Sequence, residues 1–145
     1  MKLTTRSRYG TRLLLDIALN SSDGPVPSKD TAAREGISLK YLEKLIKKLN
    51  EAGYVKGKRG PNGGNYLTME PDEISIGKVA QILDGQEEEV LDCDKDSTSC
   101  PRYAVCLKRT IWSDASKAMY KMLDSYTLAD LIKDARLCPM LEEEE

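Results

Sequence analysis

The chain has 145 residues, 40% apolar and 32% charged, with no histidine and a formal charge of −2. That length suits one folded domain with an appended helical element, and no apolar stretch approaches the ~20 residues of a membrane span. Lys2, Arg6, Arg8, Arg12 and Asp16 break up the opening residues, so no secretory leader is expected; the reading is a cytoplasmic protein without a membrane partner, whose clustered cysteines point to metal or redox chemistry.

Charge is divided unevenly. Residues 1–70 carry 13 Lys and Arg against 7 Asp and Glu, a net of +6, whereas residues 71–145 carry 9 against 17, a net of −8. A polyanion would be drawn to the first half only.

In chain order, Tyr9, Leu13 and Ile17, flanked by Leu14 and Ala18, recur at helical spacing and predict a core helix from Arg6 to Asn20 with a basic first turn. Asn20 to Pro27 reads as a loop. Ser28 is expected to cap a short helix through Glu35, stopped by Gly36. Ser38 then caps a helix from Leu39 to Ala52, ended by Gly53. Helix, short turn, helix is a helix-turn-helix, in which the second helix is offered to the major groove. Leu39, Leu42, Leu45, Ile46 and Leu49 fall on its inward side; Ser38, Lys40, Tyr41, Glu43, Lys44 and Lys47 lie outward or at the margins.

Beyond Gly53 the pattern becomes that of extended chain. The segments 54–59 and 65–69, around Gly60-Pro61-Asn62-Gly63-Gly64, predict a β-hairpin. Its basic first strand and nearly bare turn suit a wing lying against a phosphate backbone, and Arg59 is long enough to enter a narrow minor groove. Arg6, Arg8, Lys44, Lys47, Lys56 and Lys58 are read as phosphate contacts, which position a protein on DNA and make binding salt-dependent. Ser38, Lys40, Tyr41 and Glu43 sit where base edges come within reach; Lys40 suits guanine, and Glu43 suits cytosine N4 while rejecting wrong sequences.

A helix is expected from Ser75 to Leu83, with Ile76, Val79, Ala80 and Leu83 on one face. The stretch Asp92 to Cys106 then brings Cys93, Cys100 and Cys106 together. Their intervals are wider than those of most structural zinc sites. Iron-sulfur clusters tolerate such spacing, and on spacing alone a cluster, a zinc site and a thiol switch stand level. From Leu107 to Leu123 a helix carries Ile111, Trp112, Ala115, Met119, Met122 and Leu123 on one broad face, which needs something to pack on. Thr127 to Asp130 reads as a capping box opening a last short helix.

Several of these segments together resemble the winged-helix regulator family that includes IscR, NsrR and CymR. The resemblance is carried by Met1-Lys2-Leu3-Thr4-Thr5-Arg6-Ser7-Arg8-Tyr9, by Gly36-Ile37-Ser38-Leu39-Lys40-Tyr41-Leu42-Glu43, by Arg59-Gly60-Pro61-Asn62-Gly63-Gly64, and by Trp112 with Ser125-Tyr126-Thr127-Leu128-Ala129-Asp130-Leu131. It implies a homodimeric transcription factor that binds a pseudo-palindromic double-stranded DNA operator, with Ile111, Trp112, Ala115, Met119 and Met122 at the dimer contact.

The fold expected is mainly α with a small β-hairpin wing. It comprises a winged helix-turn-helix domain over residues 1–84, a cysteine-containing cluster-binding loop over 85–106, a dimerisation helix and short terminal helix over 107–137, and an acidic, disordered tail over 138–145. Three cysteines between wing and long helix resemble the cluster-binding branch of the family. The resemblance therefore implies an iron-sulfur cluster, 2Fe-2S with 4Fe-4S as the alternative, held by Cys93, Cys100 and Cys106, and control of iron-sulfur assembly genes.

The chain departs from that branch where a histidine three residues past the third cysteine completes the ligand set. Arg109 stands there. Cys138, a loop acid such as Asp92, Asp94 or Asp96, or a group of the partner subunit are the candidates for a fourth ligand. Alternative readings are a nitric oxide or thiol-redox repressor of the same family, and a small iron-sulfur electron carrier or enzyme subunit. A catalytic role is not expected: no nucleophile has a paired base, and the glycine-rich turn lacks the Lys-Ser/Thr of a phosphate-binding loop.

Overall fold

Thr4 opens the first helix by accepting a hydrogen bond from the Arg6 amide at 3.2 Å, the role expected of a threonine at that position. The computed structural model describes residues 3–85, 98 and 100–137. The elements are α1 (Thr5–Asn20), α2 (Ser28–Glu35), α3 (Leu39–Glu51), β1 (Val55–Lys58), β2 (Gly64–Leu67), α4 (Ile76–Asp84), α5 (Leu107–Asp124) and α6 (Leu128–Leu137). Short 3-10 turns at Pro71–Glu73 and Tyr103–Val105 precede α4 and α5. The expected acidic tail, Cys93, Cys138 and the loop acids Asp92, Asp94 and Asp96 lie outside the described residues. Among the described residues no helix is long and apolar enough to cross a membrane.

The expected architecture, mainly helical with one antiparallel hairpin, is present. Leu13, Leu14 and Ile17 of α1 meet Leu42, Leu45 and Leu49 of α3, Val55 of β1, and Val79 and Leu83 of α4 in one buried cluster. Leu128 of α6 enters the same cluster, so the C-terminal helix packs on the winged fold. A buried Asp16 on α1 receives both Nε and Nη2 of Arg34 on α2, at 2.6 and 2.9 Å. This two-pronged pair fixes the first two helices, and the Asp16 hydrogen bond is the main cause holding the Arg34 guanidinium above its ordinary value.

Two local expectations need correction. Pro27, not Ser28, is the N-cap of α2, with φ −63° and ψ 135°; the proline ring presets that conformation, and Ser28 becomes the first helical residue. Its hydroxyl accepts from Asn65 Nδ2 at 2.8 Å and so ties α2 to the hairpin. Leu39, expected inward, is exposed, because the first turn of α3 overhangs the core and opens towards the wing.

Close approach of helices is secured where side chains are missing. A Cβ on Gly10 would strike the Leu83 side chain of α4, and one on Gly77 would meet the Asp124 backbone nitrogen at 2.7 Å. At this second contact Ser75 Oγ donates to Asp124 Oδ1 at 2.6 Å, Ile76 N–H to Tyr126 O at 3.0 Å, and Leu128 N–H to Ile74 O at 3.0 Å. The start of α4 is thereby pinned to the end of α5, and the two helices run antiparallel from there. At ~1.5 Å per residue α5, with 18 residues, is about 27 Å long, and α4, with 9, is about half that. The N-terminal half of α5 therefore projects past the end of α4.

Replacing a helical glycine by alanine ordinarily stabilises by ~0.5–1 kcal/mol. At Gly77 the sign reverses, because the neighbour is backbone that cannot swing aside. Gly77→Ala is expected to lower unfolding stability by about 1–3 kcal/mol in urea titrations; an unchanged or raised midpoint would contradict the packing described.

Candidate DNA interface and cysteine segment

Ser38 caps α3 by accepting from the Tyr41 N–H at 3.2 Å, as its position predicts. Lys40, Glu43, Lys44 and Lys47 are all exposed on that helix, and Lys47 makes a loose surface pair with Glu51 at 3.9 Å. Tyr41 is half-buried, its ring edge-on to Tyr9 of α1 with centroids 6.1 Å apart. Arg12 lies over the other ring, 5.2 Å from the Tyr9 centroid, and its Nε pairs with Glu35 Oε2 at 2.6 Å. This stack joins the start of α3 to the first turns of α1, where Arg6 and Arg8 are exposed.

The hairpin flanks α3 on its other side. Val55 pairs with Leu67, Lys56 with Tyr66, Gly57 with Asn65 and Lys58 with Gly64. Asn65 and Val26 exchange backbone hydrogen bonds at 2.8 and 2.7 Å, docking the hairpin on the strand-like stretch before α2. Any side chain at Gly64 would enter the backbone of Pro25 and Val26, which is why this position is bare. The turn is closed by Gly63 N–H to Gly60 O at 2.9 Å, with Gly60 at φ 116°, a conformation other residues rarely take.

Between α3 and the hairpin runs an open cleft lined by Ser28, Lys29, Leu39, Glu43, Lys58 and Arg59. Glu43 is the acidic group in this lining, facing a basic wall. Such a surface suits phosphates along its rim and a base contact at its floor. Lys29 escaped the sequence reading, although its place at the start of a helix just after Pro27 and Ser28 signals a residue near the wing. Tyr41 is set deeper than its neighbours by its contact with Tyr9.

Of the three clustered cysteines, Cys100 and Cys106 are described. Both are free and half-buried, and they bracket the 3-10 turn, with Tyr103 N–H donating to Cys100 O at 3.0 Å. Cys106 occupies the N-cap of α5 without a side-chain capping bond, so its thiol is not spent on the helix. Two soft thiol donors of this kind fit an iron-sulfur group, and the third, Cys93, lies outside the described residues. Among the described residues there is no group of three His, Cys, Asp or Glu that would hold a metal ion. Arg109, three residues past Cys106, folds back over the Tyr103 ring at 4.2 Å from its centroid, and Nη1 donates to the Tyr103 hydroxyl at 3.4 Å.

On α5, Ser116 and Tyr120 face inward and are buried. Burial chiefly, and the charge of Asp84 after it, pushes the Tyr120 phenol up. The opposite face is apolar and open: Leu107 is 82% exposed, Ile111 64%, Trp112 51% and Met122 59%. Ala115 and Met119 lie half-buried along the same stripe.

The chain matches the Rrf2 family, described as "Iron-dependent Transcriptional regulator", over residues 3–134. It is 55% identical to Protein rrf2 of Nitratidesulfovibrio vulgaris Hildenborough over 139 residues, 96% of this chain and 92% of that one. It is 42% identical to the HTH-type transcriptional regulator IscR of Aliivibrio salmonicida, across 92% of this chain and 79% of the relative. Among solved structures, T. potens IscR superposes with a TM-score of 0.74 at 32% identity, covering 100% of this chain and 93% of that one. CymR (YrzC), the global cysteine regulator of B. subtilis, superposes with a TM-score of 0.72 at 33% identity, covering 92% and 97%. With its helix-turn-helix, its glycine-rich wing and this likeness along nearly its whole length, the chain belongs to the Rrf2 family of DNA-binding transcriptional regulators.

Proposed function

We propose that this chain acts as a homodimer on a pseudo-palindromic operator, and that an iron-sulfur cluster held by Cys93, Cys100 and Cys106 sets its affinity or site preference, with iron-sulfur assembly genes as its targets. The observation that carries this reading is the position of Cys106. It is the last residue before α5, a helix whose other end is pinned to the winged core.

The chain's own parts then divide as follows. Residues 1–84 read DNA: Arg6, Arg8, Lys44, Lys47 and Lys58 meet phosphates, Ser38, Lys40, Tyr41 and Glu43 approach base edges, and Arg59 enters the minor groove. Residues 107–137 pair two copies through Ile111, Trp112, Ala115, Met119 and Met122, whose exposure along one stripe favours burial against an identical face. Residues 85–106 lie between. A bound cluster supplies there a rigid, oxidant-sensitive body joined to thiolates of a single segment. The cysteines anchor that body, Cys106 passes its order into the first turn of α5, and the pinned end sets the angle between the two DNA-reading units. A ligand shifts such an equilibrium only through its differential affinity for the two forms of the dimer. Arg109, engaged with Tyr103 and cationic, is no ligand; the fourth position falls to Cys138, a loop acid or the partner subunit, and an oxygen donor there would make the cluster labile.

Two measurements check the cofactor and the wing. Anaerobically purified protein is expected to be coloured, with iron and sulfide in cluster stoichiometry, and to lose both in Cys106→Ser; a colourless protein with stoichiometric zinc would overturn the reading. Arg59→Ala is expected to weaken operator binding most where the flanks are A/T-rich, since a narrow minor groove concentrates negative potential, whereas equal loss on every flank would reduce Arg59 to a phosphate contact.

A further inference from the structure

One buried carboxylate belongs neither to the DNA-facing cleft nor to the cysteine segment. Asp84 closes α4, is buried, and accepts at Oδ1 a hydrogen bond from Thr4 Oγ1, 80 residues earlier. Its Oδ2 has no hydrogen-bond partner among the described residues. Burying a carboxylate is costly unless donors meet its charge, and a negative charge at the C-terminal end of a helix opposes the helix dipole. The bond to Thr4 is what the carboxylate supplies.

Thr4 has one hydroxyl proton and two lone pairs. Giving the proton to Asp84 leaves a lone pair aimed at the Arg6 N–H, from which Oγ1 accepts at 3.2 Å. The carbonyl of Thr4 accepts in turn from Ser7 Oγ at 2.9 Å and from the Arg8 N–H at 3.3 Å. The first turn of α1, with Arg6 and Arg8 exposed on it, is thus hung from one residue whose rotor is locked by Asp84. Gly10, further along α1, approaches Leu83, so the same two helices also meet beside the bond.

We propose that Asp84 is a positioning residue for DNA binding: by holding the Thr4 hydroxyl it fixes the first turn of α1 in the orientation in which Arg6 and Arg8 meet the phosphate backbone. The inference rests on the reading of Arg6 and Arg8 as phosphate contacts. It adds that their placement is controlled from the end of α4, the point where the chain leaves for the cysteines.

The test is the salt dependence of operator binding by the full-length protein. Each phosphate contact adds ~0.9 to the slope of log affinity on log salt. Asp84→Ala and Thr4→Val, which remove the bond from opposite partners, are each expected to make the slope shallower by roughly 1–2 per protomer. Asp84→Asn and Thr4→Ser keep an acceptor and a donor respectively, and should keep the slope. A variant that merely folds less well loses affinity by one factor at every salt concentration and leaves the slope intact. Arg6→Ala/Arg8→Ala is the control. If it flattens the slope and neither Asp84→Ala nor Thr4→Val does, the positioning role is overturned while the phosphate contacts stand; if the control itself leaves the slope unchanged, both fall. Asp84→Asn as damaging as Asp84→Ala would also overturn it, since charge and not the hydrogen bond would then be at work.

Discussion

Everything that places the proposed sensor relative to the DNA surface depends on how closely α4 approaches α5. That approach exists because Gly77 has no side chain where the Asp124 backbone passes, and three hydrogen bonds from Ser75, Ile76 and Leu128 close around it. Bare contacts of this kind give interiors their stiffness, since packed backbone cannot yield by rotating a side chain. In the proposed mechanism, a helix held at this end would pass a change at its other end on as a change of angle.

The opposite end of α5 is where the free cysteines and the open apolar stripe meet. Trp112 and Ile111 lie within two turns of Cys106, so in the proposed dimer a group bound at Cys106 would stand next to the apolar stripe. The proposed DNA-reading surface is built on the same core. α3 is braced by the Tyr9 and Tyr41 rings, and the wing by Asn65, which bonds both Val26 and Ser28. Rigid recognition parts joined to one pinned lever suit regulation by relative placement, with the reading residues themselves left unchanged.

Much of this was legible from residue order alone, where the determinant is local. Gly36 in its left-handed conformation, Ser38 as a cap, and the Thr127 and Asp130 box, in which the Thr127 N–H reaches Asp130 Oδ2 at 2.9 Å, follow from a few neighbouring residues. The Thr127 bonds that draw the Asp130 carboxyl below its ordinary range were implicit in the spacing. What escaped is non-local. Pro27 outcompetes Ser28 as a cap because its ring presets the angle, and Ser28 finds Asn65 instead, 37 residues on. Leu39 looks like core by periodicity and is exposed because the core ends beneath it. The contacts of Gly10 with Leu83, Gly77 with Asp124 and Thr4 with Asp84 join positions far apart in sequence, and no period or motif marks them. The cysteine chemistry was visible as a cluster of thiols, but a ligand contributed from a distant residue or a second chain leaves no local pattern.

The proposed control of DNA binding by the cluster is tested most directly by the affinity of one purified protein for one operator, measured anaerobically with the cluster in place and after its removal, at a fixed salt concentration. Coupling of the usual strength, ~1–3 kcal/mol, predicts affinities that differ by about 5- to 150-fold, or a matching change in preference between operators. Identical affinities and identical preferences in the two states would contradict it, and would leave the cysteines without a part in DNA binding.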